Sequence, residues 1–153
     1  MKVKSFVAWT GEVATPPDLP RGWRSMSVGN IQVRFLPRRD DDAGVQPEML
    51  IVNSDADFDS NAPDKSLGYG IPVRFDMRTG TVVALTSIVG LPPLFLLRNG
   101  TTTAIASDIH AFVSAIGQRL SLDAASVRQL GHIGYPARGR TLFRGARRGI
   151  QHS

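Results

Sequence analysis

Arg138, Arg140, Arg144, Arg147 and Arg148 place five guanidinium groups within eleven residues near the end of the sequence. From Gln118 to Ser153 there are seven arginines and one acidic residue, Asp123, whereas the residues before Gln118 are close to neutral. Guanidinium groups at this density can hold phosphates or an acidic protein surface, and they can equally form a solvated face. These five arginines are the candidate partner-binding residues.

Other constellations carry less chemistry. The chain has no cysteine, which removes disulfides, thiolate metal sites and thiol nucleophiles together. His110, His132 and His152 are separated by 22 and 20 residues, a spacing that matches no compact metal motif. Asp55, Asp57 and Asp59 alternate as in a calcium loop, but Ser60 and Ser66 stand where such a loop needs glycine and glutamate. Gly68-Tyr69-Gly70 has no Gly-Lys-Ser ending and opens no helix, so it is not a phosphate loop. Trp9 reads as a core residue, whereas Trp23 between Arg21 and Arg24 could stack on a partner. No catalytic residue, metal ligand or cofactor is assigned.

The elements that must position the arginines follow from local pattern. Val3 to Trp9, Ile31 to Phe35 and Met49 to Val52 read as strands, separated by connections rich in Pro and Asp. Thr81 to Ser87 is apolar without alternation, which predicts a central strand buried on both faces. Leu94 to Arg98 and Thr101 to Ala106 flank Asn99-Gly100, a pair suited to a two-residue hairpin turn. Ser107 or Asp108 caps a helix whose stripe is Ile109, Phe112, Val113 and Ile116, closed by Gly117. A second helix has Asp123 as cap and a Leu122–Val127 staple. Val127, Leu130 and Ile133 form its buried side, and Gly134 closes it. Strands followed by a helical tail predict an α+β fold.

A resemblance rests on the order of several segments. Gly90, Pro93, Leu94 and Phe95, then Ser107-Asp108-Ile109-His110-Ala111-Phe112, then Leu122-Asp123 through Gly134-Tyr135, and finally Thr141-Leu142-Phe143-Arg144-Gly145 with Arg147-Arg148, are arranged in one succession. Over about residues 72 to 148 this succession resembles the N-terminal glutaminase-type domain of the asparagine synthetase family, a class II glutamine amidotransferase domain of the Ntn type. The resemblance implies stacked antiparallel sheets with flanking helices, in shortened form, over residues 1–148, with 149–153 as a tail where the family has a linker.

The departures shape the expected function. The family uses an N-terminal cysteine as nucleophile, with its own α-amino group as base. Here the sequence begins Met1-Lys2, and Thr86-Ser87 replace a family Arg-Asp pair. Ser5 or Thr10 would need trimming of several residues before serving as a nucleophile, and the family's glutamine-holding segments find no match. The expectation is therefore a degenerate domain that does not hydrolyse glutamine by itself, as in relatives such as the β-lactam and lasso-peptide macrolactam synthetases. Its implied partner is an ATP-dependent amide-forming synthetase domain, in the same or a neighbouring chain, with self-association left open. A basic nucleic-acid-binding module using the same arginines is the alternative. The absence of a long apolar run or a signal-like start predicts a cytoplasmic location and no membrane span.

Overall fold

A computed structural model describes residues 2–13, 16–38, 49–52, 71–76, 81–84, 93–135 and 140–148. The strands in chain order are β1 (Lys2–Thr10), β2 (Arg24–Val28), β3 (Ile31–Pro37), β4 (Met49–Val52), β5 (Ile71–Asp76), β6 (Thr81–Ala84), β7 (Phe95–Asn99), β8 (Thr102–Ala106) and β9 (Ala146–Arg148). Two helices, α1 (Ile109–Ser114) and α2 (Ala124–Ile133), lie between β8 and β9. The expected α+β composition of strands and a helical segment is therefore present. The described strands join in one sheet rather than two, antiparallel except where β1 meets β4.

β1 organises this sheet. It pairs with β3 from Val3 to Trp9, which occupies one edge. Its other edge is divided, with Lys2–Val3 against β4 and Val7–Thr10 against β8. A register shift between Val3 and Ser5 changes which side chains share a face, so that Val3 joins Phe6 and Ala8 in one apolar cluster. Val7 and Trp9 point to the other face, into a second cluster with Phe112, Ala115 and Ile116 of the α1 region. Both faces are thus buried, and the alternation of β1 supplies both cores.

β4, β5 and β6 form an arm that curls over the first face. Val73 of β5 is buried beside Phe6 and Val33, and Val82 and Ala84 of β6 pack against the same cluster. β6 and β8 are four strand spacings apart along the sheet, about 19 Å if it were flat. Yet residues of both line one cavity, so the sheet must bend between them.

Three sequence expectations need correction. β6 is a terminal strand of the sheet rather than a central one, with Thr81 and Val83 exposed. Only Val82 and Ala84 have an apolar partner layer, so its β-branched run reflects strand propensity rather than two-sided burial; residues 85–87 lie outside the described set. The β7–β8 hairpin is present but shifted by one residue. Asn99 pairs with Thr102, and the loop is Gly100-Thr101, with Gly100 at φ 57°. The largest departure concerns α2, whose cap Asp123 and left-handed Gly134 are where the sequence puts them. Its apolar side is not buried: Val127 is 42% exposed, Leu130 39% and Ile133 49%.

α1 behaves more nearly as expected. Asp108 accepts from the His110 N–H at 2.9 Å, and Phe112 and Ile116 are buried. Val113 is exposed and small Ala111 and Ala115 take the core positions instead, which lets the helix lie close to the sheet. Carbonyls at its end are satisfied by the Gly117 and Gln118 N–H groups. The guanidinium of Arg34 on β3 donates to Ala115 and Pro17 carbonyls and lies 5.9 Å from the Trp9 ring centre. That arginine has a structural task, closing α1 onto the second face.

Candidate functional site

The C-terminal arginines are carried by a folded-back segment. Thr141 Oγ1 donates to the Ala146 carbonyl at 2.9 Å and accepts from the Phe143 N–H at 3.1 Å, closing a compact turn. The turn is fastened to the residues before α2, because Asp123 N–H donates to the Leu142 carbonyl and Arg144 N–H to the Ser121 carbonyl, each at 2.8 Å. β9 then pairs with β7 at the edge of the sheet. Gly145 sits so close to Arg98 that a Cβ there would come within 2.8 Å of the Arg98 carbonyl oxygen, and its φ is 76°.

This arrangement divides the five arginines instead of pooling them. Arg140 and Arg147 face each other across an antiparallel bridge and share one face of the edge. Arg148 is opposite Phe95 and so belongs to the other face, while exposed Arg144 lies in the turn. Arg138 lies outside the described residues. Asp123 stands close enough to Arg140 for the guanidinium to help lower its pKa. The larger cause is the Ser126 hydroxyl, which donates to its carboxylate at 2.7 Å.

Beside this segment is the exposed side of α2. Of its ten residues only Ser126 is buried. Leu122, Val127, Leu130, Ile133 and Tyr135 are large apolar side chains open to solvent, with Arg128 on the same helix. α2 is thus an amphipathic helix held at its first turn, with much of its apolar side open to solvent.

The second feature is the cavity under the curled arm. It has a volume of about 320 Å³ and is lined by Ala8, Ile31, Val82, Leu96 and Ile105, with Thr10, Thr81 and Thr103 contributing hydroxyls. Two transverse rows of the sheet run through it. Ala8, Ile105 and Leu96 are successive cross-strand partners, and the row continues to Arg147 and then Arg140. Thr10 and Thr103 are partners in the next row, which continues to Arg98. Directly opposite residues in an antiparallel pair share a face, so each row passes from cavity wall to guanidinium.

Sequence reasoning did not find Arg98, nor that Arg147 belongs to the cavity face. The alternation Leu96–Arg98 on β7 against Thr103–Ile105 on β8 carries that signal, but it becomes readable only once the register is known. His110 and His132 are both exposed and lie on different helices, and no cluster of metal-ligating side chains occurs among the described residues. Trp9 is buried, as its place in an alternating strand predicts, and Trp23 is half-buried against the second cluster. Among the described residues no helix is long and apolar enough to cross a membrane. No protein-family model, curated protein or solved structure matches the chain.

Proposed function

We propose that this chain is a shortened, cysteine-free domain of the glutaminase type, with an Ntn-like layered sheet, that serves as a docking scaffold for an ATP-dependent amide-forming synthetase. The observation that carries this reading is the exposure of Val127, Leu130 and Ile133 on α2, whose N-terminal end is fastened to the turn that holds Arg144 and has Arg140 near its cap. A helix whose caps are complete but whose apolar side is open has its covering layer on another surface. The arginines select a partner rimmed with carboxylates, and they speed encounter more than they tighten binding. With no cysteine in the sequence, a thiol-based glutaminase has no nucleophile, which favours a supporting role over catalysis. The division of the arginines between two faces of a three-residue strand disfavours a continuous nucleic-acid track.

The test is co-expression with the adenylating synthetase encoded beside it or fused to it, followed by sedimentation of the purified mixture. A stable complex is expected, weakened at least about tenfold by Leu130→Asp, since a buried charge in an interface core is costly. Leu130 is already part-exposed, so the variant should keep its melting temperature. Free chains in the mixture would refute the proposal. Ammonia release from glutamine by the chain alone would refute it from the opposite direction.

A further inference from the structure

The cavity under the β4–β5–β6 arm is partly open to solvent and has an apolar floor of Ala8, Ile105 and Leu96. The cross-strand rows through it continue, one strand beyond its lining, to Arg147 and Arg98. Arg147 and Arg140 face each other across a bridge, so two like charges share one position in the sheet. Such a pair is repulsive unless a counter-charge lies nearby, and Asp123 attends Arg140 alone. Arg98 and Arg147 are both exposed at the ends of these rows. Thr103, next to Arg98 across the ladder, adds a hydroxyl at the same end.

We infer that this cavity is a binding site for an amphipathic anion, with a short acyl chain on the Ala8–Ile105–Leu96 floor and its carboxylate at Arg98 and Arg147. The volume lies at the small end of the roughly 300–1,000 Å³ typical of small-molecule sites, which admits a medium-length chain and excludes a long lipid. Burial of the chain supplies the attraction, and the guanidinium pair selects a carboxylate over an alcohol of the same length. The inference does not rest on the docking role of α2, although Arg140, opposite Arg147, adjoins both surfaces.

Decanoate is the probe, titrated into the full chain by calorimetry, with methyl NMR reporting Ile31, Val82, Leu96 and Ile105. Saturable binding is expected, with shifts confined to those methyl groups. Affinity should fall at least about tenfold for the double variant Arg98→Gln, Arg147→Gln, and by a similar factor when 1-decanol replaces decanoate. Both arginines are exposed, so the variant should fold; an unchanged melting curve checks this. As a second variant, Thr103→Trp should obstruct the cavity and abolish the shifts. Absence of shifts in the native chain overturns the inference. So does equal binding of decanol and decanoate, or decanoate binding that survives both variants.

Discussion

Ser107 shows how one side chain can hold a sheet together where its ladder stops. The β1–β8 pairing begins at Val7 and Ala106, leaving Phe6 next to the end of β8. There the Phe6 N–H donates to Ser107 Oγ at 3.0 Å, Ser107 N–H donates to the Phe6 carbonyl at 3.2 Å, and the hydroxyl reaches Ser5 Oγ at 3.3 Å. Ser107→Ala would leave the buried Phe6 N–H without an acceptor, at a cost of about 1–3 kcal/mol. Denaturant unfolding is expected to show this as a lower midpoint with an unchanged slope. Two glycines give a matched comparison. Gly134 has open space around it, so Gly134→Ala should cost about 1 kcal/mol for the left-handed backbone alone. Gly145→Ala should cost more, because its Cβ would also collide with the Arg98 backbone and displace β9. In the sequence both are simply glycines after a helix or turn, and the distinction appears only when the neighbouring chain is in place.

The helices divide what is legible in the sequence from what is not. Caps are local, so Asp123 and Gly134 could be read from residue order and Asp108 was one of two candidates, whereas α1 ends at Ser114 with Ala115 as its cap, before Gly117. Burial of α2 is not local. Its periodicity announces an apolar side without saying whether this chain covers it, and the same pattern serves a core helix and a docking helix. The β7–β8 hairpin has an intermediate status. Its existence was written in Asn99-Gly100, but its register was fixed by pairing with β1 and by the close packing of Gly11 against Thr101. The cap of α2 also sets a pH dependence. The Ser126 hydroxyl, followed in effect by the Ala125 N–H and Arg140, favours the charged Asp123 and lowers its pKa in the folded state. A lowered folded value means the contribution is complete above the ordinary aspartate range and is lost as pH falls through the folded value. Far-UV ellipticity should therefore decline on acidification more in the native chain than in Asp123→Asn, where the cap is kept and the charge is absent.

At the scale of the whole molecule, β1 supplies both cores because alternate residues face opposite sides; the strand itself was visible in Val3 to Trp9, but not the burial of both its faces. The curl of the β4–β5–β6 arm was not visible, because long-range pairing joins segments that are distant in the sequence. The cavity inherits that difficulty, since its lining is drawn from β1, β3, β6, β7 and β8. The divided edge of β1 also has a dynamic consequence. Among the described residues the arm is fastened there at two parallel positions, Lys2–Ile51 and Val3–Val52, whereas β3 and β8 hold β1 over longer antiparallel stretches. Partial opening should therefore follow a set order, with the arm detaching while the remainder keeps its structure. Native-state amide hydrogen exchange is expected to resolve two groups of protons, those of β5 exchanging first and those shared by β1, β3 and β8 only with global unfolding. A single exchange rate class across both groups would mean that this narrow joint transmits cooperativity as fully as the broad ones.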